Sequence, residues 1–227
     1  MESKGRLDTI SIAGSAIFSA LAILLSGASQ ALGLYFPLIP YLQFDLGEVA
    51  IILAFFLFGP VPAIVSSLVE FAGLMLYGQN LPVGPPLKLF ALASTVAGLW
   101  IGTRIAARKE GSSLLSLGGW TTAVGSAVRA VAMTVPNLYL IIYFYGLSAI
   151  EGFLKGSFSA IGIALTDSNA LFAILVFTAV FNVIQLAAVM TISLFVLRVP
   201  AISQIKVGGK LPWFTAYLRP ATATTSP

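Results

Sequence analysis

The sequence predicts an all-α integral membrane protein with six transmembrane helices, and three observations support that prediction. Of its 227 residues, 58% are hydrophobic and only 9% are charged, and the mean hydropathy is +0.99. A water-soluble core of this size has no room for so much apolar surface. Six apolar stretches approach the ~20 residues that a helix needs to cross a bilayer. The basic residues also cluster at alternate ends of these stretches. We therefore predict one transmembrane domain over residues 1–227.

The six apolar stretches set the bounds of the predicted helices, which are about 9–29, 46–58, 61–77, 87–106, 118–145 and 170–198. Gly59, Pro60 and Pro62 separate the second stretch from the third, which predicts a tight hairpin between two helices. Pro136 lies inside the fifth stretch and predicts a kink just before Asn137.

Three further segments are predicted not to span the membrane. The first and second helices are joined by LGLYFPLIPYLQFDLGE, which is too rich in proline for a helix and predicts a structured outer loop. A second loop, YGQNLPVGPP, precedes the fourth helix. Residues 199–227 are expected to form a cytoplasmic tail that lies at the membrane interface and then frays.

The distribution of charge predicts the orientation. If the N-terminus is cytoplasmic, the cytoplasmic side receives most basic residues: Lys4, Arg6, Arg104, Arg108, Lys109, Arg198, Lys206, Lys210 and Arg219. The outer side then carries Lys88 and Lys155 beside four acidic residues, Asp45, Glu48, Glu151 and Asp167. This distribution follows the positive-inside rule and predicts a multi-pass plasma-membrane protein with both termini in the cytoplasm. The net charge of +4 follows from that topology and is no evidence for a nucleic-acid partner.

The composition disfavours most catalytic chemistry. The sequence has no cysteine and no histidine, and it contains no phosphate-binding glycine loop. We therefore expect no catalytic residue, no metal site and no bound cofactor, and we do not expect an enzyme. Glu70 and Arg129 lie at similar depth in the third and fifth helices. A buried ion pair between them is the favoured interpretation, and a coupling-ion or proton site is the alternative.

Three amides lie inside apolar helices and need hydrogen-bond partners there. Asn137 follows the proline of the fifth helix, and Asn182 and Gln185 are three residues apart, on one face of the last helix. Taken singly, each amide is best explained as a group that forms a hydrogen bond between helices. Together they can converge below the outer loop, which favours a ligand pocket that is mainly apolar and carries a few polar groups.

Several stretches, in order along the chain, resemble S components of energy-coupling factor (ECF) vitamin transporters, and the riboflavin-specific members most. The loop and hairpin YLQFDLGEVAIILAFFLFGPVPAIVSSLVE resemble the corresponding region of that family. VFNVIQLAAV is similar to the family's pFNxIKG stretch in the last helix, and NLYLIIYFYG to its NyxxxxPlYG stretch in the fifth. The resemblance runs from the first helix to Arg198.

The resemblance implies a ligand site and a ligand. Asn137 and Asn182 would contact a flavin, and Leu42 would touch its ring from the outer loop. Amides suit such a ligand because each offers both a donor and an acceptor. Two positions depart from the riboflavin pattern. Gln185 stands where those members have lysine. VGPPLKLF stands where they have VGExxNFL, so Lys88 occupies the position of the asparagine in that pattern. Lys88 is expected either to bind the ligand or to extend from a helix end towards the membrane surface.

The resemblance also implies partners. S components bind a vitamin and associate with a transmembrane coupling subunit and two ATP-binding cassette ATPases, and the first helix carries the docking pattern of small residues at Ala16 and Ala20. The resemblance thus predicts a membrane-embedded binding subunit for vitamin uptake, with riboflavin as the first candidate. The alternatives are an S component for another vitamin or cofactor precursor, and a self-contained ion-coupled carrier. Membrane lipid is the other expected partner.

Overall fold

A computed structural model describes residues 9–78, 81–108, 113–199 and 211–218. In chain order the elements are α1 (Thr9–Ala31), β1 (Tyr35–Phe36), β2 (Ile39–Gln43), α2 (Gly47–Phe58), α3 (Pro60–Tyr77), α4 (Gly84–Ala107), α5 (Leu114–Tyr139), a π-helical segment (Leu140–Tyr145), α6 (Leu147–Ser159), α7 (Ala170–Leu197) and a C-terminal 3-10 turn (Trp213–Tyr217). Both chain termini, for which a cytoplasmic location is predicted, lie outside the described residues.

Within the described residues, five helices are long and apolar enough to cross a membrane: α1, α3, α4, α5 with its π-helical continuation, and α7. The protein is thus a multi-pass membrane protein with a predominantly helical fold. The second predicted span is α2, which has only 12 residues. At ~1.5 Å per residue it is shorter than the ~30 Å hydrocarbon core of a bilayer.

Helix α2 lies inside the bundle, surrounded by other helices. Ten of its 12 residues are buried, and apolar side chains occupy every face. An apolar surface on all sides is typical of a helix that is enclosed by protein or by lipid, and here the enclosing elements are α1, α3, α4 and α7. The helix ends where the sequence predicts a hairpin, because Gly59 has φ of 101° and Pro60 begins α3.

The predicted outer loop contains an antiparallel β-hairpin formed by β1 and β2. Helix α6 lies close to it and is not predicted by the sequence analysis. Ile150, Leu154 and Phe158 recur every fourth residue on α6 and are buried in an apolar cluster with residues of the hairpin and of α7. The charged residues Glu151 and Lys155 lower the hydropathy of the segment, so a search for membrane spans passes over it.

Helices α4 and α5 approach each other closely because small residues line their contact. A methyl group at Gly98 would lie 2.7 Å from the Cα of Gly125, and one at Gly102 would lie 2.7 Å from the Cα of Thr121. Without side chains at these positions the two backbones can touch, which is the usual way in which membrane helices pack tightly.

The described part of the predicted tail folds back onto the bundle. Trp213 packs edge-on against Phe55, and Phe214, which is buried, packs edge-on against Phe56. These contacts cover the C-terminal end of α2. Residues 211–218 are therefore part of the packed bundle, whereas 200–210 and 219–227, where fraying is predicted, lie outside the described residues.

Candidate ligand-binding pocket

A pocket lies at the other end of the bundle, where α2 begins. Its walls come from β2, the N-terminal ends of α2 and α4, the C-terminal end of α5 and the middle of α7. It encloses about 160 Å³, which is similar to a cavity that holds a single aromatic ring. In the predicted orientation this end faces the outside. Polar and charged residues that line it are Gln30, Tyr41, Gln43, Asp45, Glu48, Lys88, Arg129, Asn137, Tyr145 and Asn182.

Four of the five residues expected to bind a ligand line this pocket: Leu42, Lys88, Asn137 and Asn182. The fifth, Gln185, does not. Its side chain is buried, and Nε2 donates a hydrogen bond of 2.9 Å to the backbone carbonyl of Asp45. Gln185 thus holds the segment between β2 and α2 against α7, so the expectation of a direct ligand contact from Gln185 has no support in this geometry.

Lys88 belongs to a buried ion cluster at the wall of the pocket. Its Nζ lies 2.6 Å from Ser26 Oγ and 2.6 Å from Glu70 Oε1, and it also donates to Asp45 Oδ2. An ammonium group has three N–H donors, so these three acceptors use all of them. The lysine neither extends to the membrane surface nor keeps a free donor for a ligand.

A second ion pair, between Glu48 and Arg129, lies beside the pocket. Arg129 Nη1 is 2.5 Å from Glu48 Oε2 and Nη2 is 2.9 Å from Glu48 Oε1, which is a bidentate arrangement. Each residue is only 3% exposed. Arg129 Nε donates to Asn182 Oδ1 at 2.9 Å, so this amide positions the arginine.

The predicted ion pair between Glu70 and Arg129 is wrong. Glu70 pairs with Lys88, and Arg129 pairs with Glu48. The sequence predicts a similar depth for these two partners, but its charge pattern puts Asp45 and Glu48 at the outer surface and so does not indicate them as partners. One signal was available: Glu48 directly precedes the apolar run of α2, where an unpaired carboxylate is costly.

Two amides at the pocket have capacity for a ligand. Asn137 donates from Nδ2 to the carbonyl of Met133 at 2.7 Å, and no described residue donates to its carbonyl oxygen. Gln43 has a buried Nε2 that has no hydrogen-bond partner among the described residues. Buried polar groups are nearly always paired in native proteins, so a bound molecule can satisfy both of these groups.

Tyr41, on β2, offers a further donor. Burial raises the pKa of its phenol to about 12, with the neighbouring Tyr145 adding to the effect. The hydroxyl therefore remains protonated across the physiological range and can donate a hydrogen bond. Nothing in the sequence distinguishes Tyr41 or Gln43 as a site residue, because neither residue type is unusual in an outer loop.

The two small residues predicted for docking lie far from the pocket, on the outer face of α1. Ala16 and Ala20 are both exposed, whereas Gly14, Ser15 and Ser19 are buried against the rest of the bundle. The exposed alanines are one turn apart, on the same face of α1.

Comparison with known proteins supports the fold assignment. A solved structure titled "Structure and mechanism of the S component of a bacterial ECF transporter" matches with a TM-score of 0.59 and 21% sequence identity. The match covers 83% of this chain and 93% of that one. No protein-family model matches the sequence, and no curated protein matches it significantly. The chain thus has the fold of that S component.

Proposed function

We propose that this protein is a substrate-binding S component of an ECF-type transporter. It binds a small-molecule vitamin in the pocket at the end of the bundle where α2 begins, and a separate ATPase module energises uptake. The observation that carries the proposal is a pocket lined by apolar side chains and by amides with free hydrogen-bonding capacity. The S component with a similar fold supports it. The protein itself performs no catalysis.

Riboflavin is the first vitamin to test, because the stretches around Asn137 and Asn182 resemble those of riboflavin-specific members. The amide groups of Asn137 and Gln43 suit the alternating carbonyl and N–H edge of an isoalloxazine ring. A different vitamin or cofactor precursor is the second candidate. It is favoured by Gln185, which does not line the pocket and donates to the carbonyl of Asp45, and by Lys88, whose three donors are directed to protein groups.

The energising partners in this proposal are a transmembrane coupling subunit and two ATP-binding cassette ATPases. The exposure of Ala16 and Ala20 supports docking, because small residues let a partner helix approach closely. Transport by the purified chain alone, driven by an ion gradient, would instead support the ion-coupled carrier.

The proposed orientation in the plasma membrane can be tested with single cysteines, because the chain has none of its own. A cysteine replacing Arg108, which is exposed just after α4, should be shielded from an impermeant thiol reagent added to whole cells. A cysteine replacing Asp167, exposed in the turn before α7, should react. Labelling at position 108 and protection at position 167 would reverse the topology.

Replacing Asn137 with alanine should weaken ligand binding by about 1–3 kcal/mol, which is one to two decades in affinity. The reason is that the side-chain oxygen of Asn137 would accept a hydrogen bond from an N–H of the bound ligand, and alanine removes that acceptor. The purified protein's visible absorption spectrum reports bound flavin, and mass spectrometry of the released ligand identifies any other vitamin.

Val135→Ala is the matched control, since Val135 lies on the same helix and is exposed on its outer surface. It should leave the affinity unchanged. Equal affinities for Asn137→Ala and the unmodified protein would mean that the Asn137 side chain does not bind the ligand and only donates to the carbonyl of Met133 in its own helix.

A further inference from the structure

We propose that the pocket selects its ligand by charge: it accepts uncharged or cationic molecules and rejects those that present a carboxylate or a phosphate to its polar wall. This inference rests on the proposed function, since it concerns the ligand of the same pocket. It narrows the class of vitamin that the protein binds, and it assigns the selection to the ion cluster of Asp45, Glu70 and Lys88.

Lys88 would be the natural partner of an anionic ligand, but the protein already occupies it. All three of its N–H donors are directed to Ser26, Asp45 and Glu70. Two carboxylates face this one ammonium group, so its charge is more than balanced. An incoming anion would have to displace a carboxylate that is part of the fold.

Arg129 is the other cation at the pocket, and Glu48 balances its charge through two parallel hydrogen bonds. Its Nε is bound to Asn182, and Nη1 also reaches Thr95 Oγ1 at 3.4 Å. Four of its five N–H groups therefore have protein partners. A single N–H on Nη2 is left, which can serve an uncharged acceptor but cannot offer a carboxylate the usual bidentate contact.

The sum of these charges decides the selectivity. The described ionisable residues of the two clusters are three acids, Asp45, Glu48 and Glu70, and two bases, Lys88 and Arg129, so no positive charge is left uncompensated. Charges interact strongly where water is excluded. Like charges brought together at a binding site cost enough to discriminate between ligands by orders of magnitude. The wall therefore repels an anion and tolerates a neutral or cationic group.

The direct test uses pairs of vitamins that differ in an anionic group. Full-length protein in lipid nanodiscs is titrated with riboflavin and flavin mononucleotide, thiamine and thiamine monophosphate, nicotinamide and nicotinate, panthenol and pantothenate, and biotin amide and biotin. We expect the uncharged or cationic member of one pair to bind at least about 100-fold more tightly than its anionic counterpart.

Two results would count against the inference in different ways. If an anionic member binds as tightly as its counterpart or more tightly, the charge selectivity is overturned while the proposed function stands. If no member of any pair binds, the proposed function fails, and the inference fails with it.

A variant tests the assignment to the cluster. Asp45→Asn removes one of the two carboxylates on Lys88, so the ratio of neutral to anionic affinity should fall by about tenfold or more. Glu70→Gln removes the other and should act in the same direction, which keeps the test available if one variant does not fold. Asp167→Asn is the matched control because it removes the same charge from an exposed turn. A ratio that is unchanged in the folded Asp45 or Glu70 variant would overturn the assignment.

Discussion

Replacing Arg129 with methionine should lower the free energy of unfolding by about 3–5 kcal/mol, the usual penalty for breaking a buried ion pair. The substitution leaves Glu48 without its cation, and both side chains are only 3% exposed. It also removes the donor to Asn182. Thermal unfolding or denaturant titration of the purified protein in detergent measures the change.

Two further variants distinguish the effect of breaking the ion pair from the effect of losing an arginine side chain. Arg104→Met removes an exposed arginine whose guanidinium stacks on Trp100, 3.8 Å from the ring centroid, and it should cost about 1 kcal/mol or less. The double variant Glu48→Leu, Arg129→Met removes both charges and should recover most of the stability, since apolar replacement of a buried pair is often neutral. A double variant no more stable than Arg129→Met would mean that the arginine acts through packing alone.

A tryptophan at Ala16 or Ala20 should reduce vitamin uptake to background while leaving ligand affinity within about twofold of the original. The bulky ring projects from this face of α1 and prevents a partner helix from approaching. Both alanines are exposed and lie away from the pocket, so the fold of the isolated chain tolerates the change. The assay is uptake by cells that contain the coupling subunit and the ATPases, paired with a binding titration.

Ala188→Trp is the control for the docking face, because Ala188 is also an exposed alanine but lies on α7. Cells with this variant should take up the vitamin at the same rate as cells with the unmodified protein. Parallel loss of binding and uptake in the Ala16 and Ala20 variants would show that the substitutions disturb the fold or the pocket, and the docking prediction would be wrong.

The spans and their breaks could be predicted because they depend on local sequence. Hydropathy and helix-breaking residues place the ends of most predicted helices within four residues of those observed, and Gly59 marks the turn between α2 and α3. Helix α6 was missed because its signal is the repeat of Ile150, Leu154 and Phe158, which is amphipathic and carries charge. A search for apolar spans does not detect that pattern.

The pocket could be predicted only in part, because ion pairing depends on the tertiary arrangement. Asn137 and Asn182 stand out as amides inside apolar helices, and the structure places both at the pocket. The partners of Glu70 and Arg129 could not be read in this way. Glu48 is 81 residues before Arg129 in the chain, and only the burial of α2 brings the two together.

The burial of α2 also has a consequence for how the protein is made. The helix is synthesised before α4 and α5, yet the cations that neutralise Asp45 and Glu48 lie on those later helices, at Lys88 and Arg129. A carboxylate enclosed without a cation is strongly unfavourable. The acids at the start of α2 therefore have to stay in contact with water until α4 and α5 have been inserted. Only then can this end of α2 take its enclosed position, so the later helices complete the packing of the earlier ones.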